Sequence, residues 1–459
     1  MMERVSKILD DDRQQPSGSA EPHGRGVRRQ SVHEFGRFVS CAAASHRGVA
    51  RTSLLSIELT RPMQNDKSQR WNMNQMVIRG VSSQTFVASN IKRIEEFYGK
   101  VLGLPVVKRT VHHHDARLPV VTFGFHQYGD EQPRSESITY IEWNPIFYMI
   151  PETGFLEQDA TQDGVANPRV GDPKGRWGAG TNHHLALHVP NRDGLLKWKR
   201  RLADHGVHVT GPYNRHYFHA IYLRDPDGAI IEIATTEPGF GHDEAVLGSG
   251  FRAQPKENLI GGRDELQVAA ETWPQPVPDV TADFALRGFH HITSISSDAE
   301  RTENFFVEKV GLRLIKKTDY LDERGGTHFY YACDEDLSPG SVLTFFGLPG
   351  YKPGRLGTGL SHHFSLEVEN DAALGEEHAR FRRLGIEVST IQDTVYAKQF
   401  HFRDPDGHIC ALSTPNRFTV DEDISRLGQK LCLPETLEKD RRTIERQLAY
   451  RPAPVPVLR

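Results

Sequence analysis

No stretch of this chain holds the roughly 18–20 consecutive apolar residues that span a bilayer, so no membrane-spanning helix is expected. Cysteine is nearly absent: Cys41, Cys333, Cys410 and Cys432 lie far apart, with no C-x-x-C spacing. That rules out a disulfide framework and a thiolate metal site, and it fits a reducing compartment. Charge of one sign is also missing. Lys and Arg number 56 against 60 Asp and Glu, for a formal net charge of −4, and the two signs are interspersed. Neither nucleic acid nor an anionic membrane has an electrostatic claim on such a surface. The opening "MMERVSKILDDDRQQPSGSAEPHGRG" has no secretory apolar core, which leaves a soluble cytoplasmic protein as the expectation.

Residues 1–74 are poor in hydrophobic periodicity and rich in Arg, Ser and Gly, and are expected to be disordered. An early start codon, with Met73 or Met76 nearer the true beginning, explains them equally well. The span 35–57 lacks acidic residues, as transit peptides do, but lies too deep in the chain for that role.

What the chain does contain is repetition. "EEFYGKVLGLPVVKRT" (95–110) aligns with "ENFFVEKVGLRLIKKT" (303–318) at an offset of 208, matching Phe97 to Phe305, Gly103 to Gly311 and Lys108 to Lys316. At an offset of 179, "TNHHLALHV" aligns with "LSHHFSLEV", and "YLRDPDGAIIEIATT" with "HFRDPDGHICALSTP". The chain therefore carries four modules, starting near 77, 180, 286 and 359. Each reads as a strand, a helix, then further strands. In module two "NHHLALHVP" alternates as a strand does, and "GLLKWKRRLADHG" carries a helical stripe of Leu195, Trp198 and Leu202 that stops at Gly206. "DPDG" suits a type I turn in the hairpin that follows, with Pro226 and Gly228 in fitting positions. Similar tails, "GFGHDEAVLG" (239–248) and "RFTVDEDISRLG" (417–428), close the two halves. The organisation expected is a segment 1–74, a first domain 75–272, a Pro-rich linker 273–284 and a second domain 285–459, whose last residues "RPAPVPVLR" are extended.

Four βαβββ units that pair to form two cupped sheets, an α+β fold, resemble the vicinal oxygen chelate superfamily. That group includes glyoxalase I, type I extradiol dioxygenases and fosfomycin or bleomycin resistance proteins. The resemblance covers about 77–455, and a shared fold leaves the function open.

Histidine doublets open three modules, as His183-His184, His290-His291 and His362-His363, while module one has Ser82-Ser83. Strand alternation puts the second histidine on the more polar face in modules two and four. A solitary doublet would be an ordinary strand-edge feature, but recurrence at one position of a repeat points to a shared role. His184 and His188 cannot share a metal, because four residues along a strand span roughly 13 Å. The last strand of module two adds Glu232 between Ile231 and Ile233, costly on a core strand unless a metal or base neutralises it. Its counterpart in module four is Ala411. Pairing modules one with two and three with four gives Ser83, His184, Glu232 and His291, His363, Ala411, both incomplete. The crossed pairing, two with three and one with four, gives His184, His291, Glu232 against Ser83, His363, Ala411. Only it yields two imidazoles and a carboxylate, the set that leaves about three open positions in non-haem Fe(II) oxygenases.

Within the superfamily, glyoxalase I adds a further carboxylate from the strand here written "SVLTFFGLPG" (341–350), which has no acidic residue. Fosfomycin resistance proteins are short chains with a single pair of modules. The hydroquinone-cleaving dioxygenases are more similar: they share "HHIT" (290–293), "GRLGTG" (354–359) and the tail pattern of 418–428. That resemblance implies that Arg215 and Tyr222 line the substrate pocket, where module four has Thr394 and His401. In that branch the complete site can come from modules one and four, whereas here it falls to two and three. The function expected is O2-dependent cleavage of a hydroquinone- or catechol-type ring at Fe(II), with Mn(II) the second choice of metal. His183 or His290 is the expected base, Tyr222 a hydrogen-bond partner of the substrate, Arg215 a stabiliser of anionic charge, and Thr293 an orienting group. The partners are a small aromatic substrate and O2, and a homo-oligomer is compatible with the sequence. Two other readings stay open: a glyoxalase-like metal-dependent lyase or isomerase, and a non-enzymatic binding protein of the resistance type. "VHHHDAR" (111–117) is expected to be a solvated loop.

Overall fold

In the computed structural model, residues 77–112, 116–125, 135–142 and 174–449 are described. Segment 1–74, the terminal "RPAPVPVLR" and His113–Asp115 of the expected loop lie outside them. The described residues all belong to one compact unit, Arg70–Arg459.

The four modules form as the periodicity predicts. Module one comprises β1 (Ile78–Ala88), α1 (Ile91–Glu95, continued as a π-helical turn over Glu96–Val101), β2 (Val106–Val111), β3 (Pro119–Gly124) and β4 (Ser137–Glu142). Module two comprises β5 (Asn182–Val189), α2 (Arg192–Asp204), β6 (Val209–Asn214), β7 (His219–Arg224) and β8 (Ile230–Thr235). After β9 (Phe251–Arg252) and α3 (Glu265–Ala270), module three has β10 (Phe289–Ser296), α4 (Ala299–Glu303, again continued as a π-helical turn), β11 (Arg313–Asp319), β12 (Thr327–Ala332) and β13 (Val342–Gly347). Module four has β14 (Ser361–Val368), α5 (Asp371–Arg383), β15 (Gln392–Asp393), β16 (Lys398–Arg403) and β17 (Ile409–Ser413). No helix among the described residues is long and apolar enough to cross a membrane.

Helix α2 shows how local sequence sets an element. Asn191 caps it by accepting from Gly194 N, and Leu195, Trp198 and Leu202 are fully buried along one stripe. Gly206, at φ +73°, lets the chain leave the helix. The Pro-rich stretch 273–279 forms no element and is pinned against this helix, where Arg201 donates to the Val277 carbonyl at 3.2 Å.

Two mixed sheets result. One runs β15-β16-β17-β14-β1-β4-β3-β2, the other β6-β7-β8-β5-β10-β13-β12-β11-β9. Each joins a module from the first half of the chain to one from the second: one with four, and two with three. The seams are antiparallel ladders, β1 on β14 and β5 on β10.

The two tails secure this crossed arrangement. Lys316 on β11 is fully buried, and its ammonium meets Glu244 at 2.5 Å and Asp243 at 3.2 Å, both from the tail of module two. Lys108 on β2, equally buried, meets Asp421 and Glu422 from the tail of module four, the latter at 3.0 Å. Gly248 and Gly428, which end the tails at φ +69° and +68°, press against Leu314 and Val106. A Cβ at either would come within 2.4 Å of a backbone oxygen, so glycine is required there. The shared "KRT/KKT" and "DE…LG" motifs are thus the two sides of one clasp. Lys316→Met should lower the unfolding free energy by about 3 kcal/mol in urea titrations, because the buried Glu244 loses its buried cation and keeps only the more exposed Arg252, at 3.1 Å. Lys317→Met, which removes a half-exposed pair with Glu303, should cost under about 1 kcal/mol.

Candidate metal centre

The β5–β10 seam sets the centre of the second sheet. Its register puts Thr293 opposite His184 and His291 opposite Ala186. Strand β8 runs parallel to β5 with Glu232 beside Ala186, so the carboxylate reaches the same face as the two imidazoles. His184 Nε2 lies 3.3 Å from His291 Nε2 and 2.8 Å from Glu232 Oε2, and His291 Nε2 lies 3.7 Å from the same oxygen. All three residues are buried, Glu232 completely, and no hydrogen bond of good geometry reaches either of its oxygens.

The doublets have a structural logic. In each, the two Nδ1 atoms face one another: 2.7 Å for His183–His184, 2.7 Å for His290–His291 and 2.8 Å for His362–His363. The first imidazole therefore holds the second by its Nδ1 and leaves Nε2 to face the cup. Such an outer contact fixes the tautomer and ring orientation of a ligating histidine.

Burial pushes His184 down to about 3 and His291 to about 4, so both are neutral at physiological pH, the form that binds metals. Burial raises Glu232, partly offset by His291, Arg215 and the Tyr222 hydroxyl. His183 and His290 are also held well below the usual histidine range, first by burial and then by their neighbouring imidazoles.

Arg215 and Tyr222 stand beside the triad. The Arg215 Nε donates to the Tyr222 hydroxyl at 3.0 Å, and the Tyr222 ring packs edge-on to His184 with centroids 5.7 Å apart. A carboxylate missed in the sequence holds this arginine and is itself shared with a second one. Asp322, between β11 and β12, takes Arg215 at 2.7 Å on one oxygen and Arg263 at 2.7 Å on the other. Burial opposes both charges, but their attraction wins, raising Arg215 and lowering Asp322. Thr293 Oγ1 lies 2.8 Å from His184 Nε2 and 2.8 Å from Thr344 Oγ1 on β13. Thr344 holds in module three the register position that Glu232 holds in module two, so the glyoxalase-type fourth carboxylate is a threonine here. His328 on β12 completes the set missed in the sequence. Phe218, Phe240 and Phe346 pack on the histidine rings and supply apolar walls.

The other sheet repeats the frame with only one of the three groups, His363 in the place of His184. Ser83, His363, Thr394 and Val120 line a cavity of about 70 Å³, with Thr85 3.4 Å from His363 Nε2, as Thr293 is placed against His184. Ala411 occupies the place of Glu232, and the His401 ring lies 4.8 Å from that of His363. His112, expected in a solvated loop, is instead 3 % exposed and lines this cavity; its backbone N–H donates to the Leu118 carbonyl. Among the described residues one other acidic group, Asp421, Glu422 and Cys432, has ligand-like spacing. Lys108 already neutralises it.

A family model, the Glyoxalase/Bleomycin resistance protein/Dioxygenase superfamily, matches residues 81–233 and 288–412, more than half of the chain. The chain belongs to this superfamily. It is 26 % identical over 383 residues to "Putative ring-cleaving dioxygenase MhqA" of Bacillus subtilis (strain 168), covering 81 % of this chain and 99 % of that one. It is 36 % identical over 97 residues to the chlorohydroquinone/hydroquinone 1,2-dioxygenase of Sphingobium indicum, covering 20 % and 29 % of the two chains. Its fold matches the crystal structure of a "putative dioxygenase" from Bacillus subtilis subsp. subtilis str. 168 with a TM-score of 0.58 at 22 % identity, over 81 % of this chain and 96 % of that one. The superfamily's fold is thus that of this chain.

A carboxylate placed for a metal is a burden without one. In the presence of a chelator, Glu232→Gln should therefore raise the unfolding free energy, by about 1 kcal/mol in denaturant titrations. A loss of several kcal/mol would instead mark Glu232 as half of a structural ion pair.

Proposed function

We propose that this chain is a ring-cleaving dioxygenase of the extradiol type, acting on a hydroquinone- or catechol-type aromatic diol with O2. The observation that carries the proposal is the convergence of two neutral imidazoles and one fully buried, poorly satisfied carboxylate on one point. Those donors fit a divalent metal with open positions, and His184, His291 and Glu232 would hold Fe(II), or Mn(II) as second choice. The metal would supply the Lewis acidity and redox capacity that let an aromatic diol react with O2. The names of the relatives from Bacillus subtilis and Sphingobium indicum support the same reading.

The chain's own residues have distinct parts in this reading. The Phe218, Phe240 and Phe346 rings exclude water and offer flat surfaces to an aromatic ring. Arg215, its charge maintained by Asp322, stabilises negative charge as the diol ionises. Tyr222, oriented by Arg215, hydrogen-bonds a ring hydroxyl. The Thr293 hydroxyl sits beside the triad and can bond an oxygen bound there. His183 and His290, each turned Nδ1-to-Nδ1 toward a ligand, orient the triad, and either could take a phenolic proton only by giving up that contact.

Anaerobically purified protein should contain one iron per chain and consume O2 with at least one substituted hydroquinone or catechol. His184→Ala and Glu232→Ala should lose metal and activity together, whereas His363→Ala should keep its metal stoichiometry. Loss of metal in the His363 variant would overturn the ligand assignment. Activity on a glutathione hemithioacetal without O2 uptake would favour a glyoxalase-like enzyme, and tight ring binding without metal would favour a binding protein.

A further inference from the structure

A hydrogen-bonded chain leads from the triad into the protein. His184 Nε2, Thr293 Oγ1, Thr344 Oγ1, His328 Nε2, His328 Nδ1 and Tyr330 Oη follow one another at 2.8, 2.8 and 2.9 Å, then across the imidazole, then 2.8 Å. Every member is at most 7 % exposed, so the chain is shielded from bulk solvent. The ring of His328 lies against Phe346, with centroids 4.6 Å apart, which in turn touches His183 and His184.

The second cup is an internal comparison. It keeps Thr85 and Thr139, the register equivalents of Thr293 and Thr344. At an offset of 208, however, Val120 replaces His328 and Thr122 replaces Tyr330. Both pairs hold equivalent ladder positions, since His328 lies opposite Phe346 and Val120 opposite Ile141. Val120 also lines the second cavity, so this strand position faces the cup. The cup without the carboxylate thus also lacks the imidazole, although it retains both threonines.

We propose that His328 is a positioning residue that fixes the direction of the Thr344–Thr293 hydroxyl chain, so that Thr293 donates its hydrogen to an anionic aryl oxygen bound at the triad. The inference rests on the metal-centre reading given above. The direction follows from the ligand end. With the His184 Nδ1–H donating to His183, Nε2 carries no hydrogen and can only accept, so the Thr293 hydroxyl facing it is a donor, and a metal that takes the Nε2 lone pair would leave that hydrogen to an oxygen bound beside it. Thr293 then accepts from Thr344, Thr344 accepts from His328 Nε2–H, and His328 Nδ1 accepts from the Tyr330 hydroxyl. Without His328, Thr344 can turn, and Thr293 can present its lone pairs to an anion instead of its hydrogen.

The test uses the iron-loaded enzyme under anaerobic conditions, with 4-nitrocatechol as the probe, because its visible absorption reports its ionisation. Iron content should equal that of the unaltered chain in His328→Leu, His328→Gln and Thr293→Val. His328→Leu and Thr293→Val should each bind the probe about tenfold more weakly and with a smaller ionised fraction, as loss of an outer partner does. The double variant should be no weaker than either single one, since both act through the same hydroxyl. Glutamine offers a donor and an acceptor like the two ring nitrogens, so His328→Gln should stay within about threefold of the unaltered chain. Unchanged probe binding in His328→Leu, additive losses in the double variant, or loss of iron from His328→Leu would each overturn the proposal. If leucine prevents folding, a tenfold loss in His328→Gln would do the same. Absence of iron from the unaltered chain would sink the metal-centre reading along with this one, whereas normal iron with an unchanged probe response sinks this one alone.

Discussion

The β5–β10 ladder is the contact on which the rest of the structure turns. By pairing Thr293 with His184 across an antiparallel seam, it brings together side chains 107 residues apart (184 to 291) at 3.3 Å. A one-residue slip would send every side chain of β10 to the opposite face and dismantle the cluster. The register therefore needs support from outside the seam, and the tail clasps supply it. The tail of module two is fastened to β11 by the fully buried Lys316 and Glu244, and β11 continues through β12 and β13 to β10. An ion pair this deep is a weak contributor to net stability but a strong discriminator against other pairings, because any alternative leaves a bare charge inside. The crossed arrangement of the halves and the precision of the cluster have the same physical source.

Much of this was legible because the chain repeats itself. Three histidine doublets and one serine doublet, read with Glu232 and Ala411, point to the crossed pairing through a ligand inventory that needs no strand order. The stripe of Leu195, Trp198 and Leu202 located α2, and Gly206 its end, since helix burial and helix exit leave local marks. What escaped notice lacked such marks. Asp322 and Arg263 sit in irregular segments far apart in sequence, and each looks like an ordinary surface charge until the fold buries it. His328 stands alone on β12, where the repeat offers Val120, so a search for recurring residues passes over it. Its signal was present as a difference between modules, a histidine where the partner module has an aliphatic residue, and differences of that kind are common in any pair of repeats. The doublets' Nδ1-to-Nδ1 contact was also hidden: alternation in an ideal strand sends neighbours to opposite faces, and the register shifts along β10 relax that rule.

The two cups also show what the fold itself requires. With Ser83, Ala411, His401, Thr394 and Val120 in place of His291, Glu232, Tyr222, Arg215 and His328, the first sheet keeps the same strand order and the same kind of seam. None of the five polar groups is therefore needed to build a cup. They are additions to a frame that is stable without them, and each adds desolvation that must be met by a specific neighbour: Asp322 for Arg215, Thr344 and Tyr330 for His328, and a metal, on the proposed reading, for Glu232.

That last asymmetry gives a reason for one complete cup in a chain that has the frame for two. An ionised carboxylate buried without a partner costs several kcal/mol, a large share of the roughly 5–15 kcal/mol by which a folded domain exceeds its unfolded state. On the proposed reading, Glu232 carries the part of that cost that His184, Arg215 and Tyr222 do not offset, until a metal is bound. A second carboxylate at position 411 would add to it in a structure whose two sheets share one large hydrophobic cluster. Replacing the carboxylate by alanine and the ligand histidine by serine removes the cost from one cup and leaves its strands free to serve as a scaffold. The clasp of Lys108 with Asp421 and Glu422, retained in that cup, fits this division: it preserves the pairing of modules one and four, and with it the frame against which the other pair is aligned.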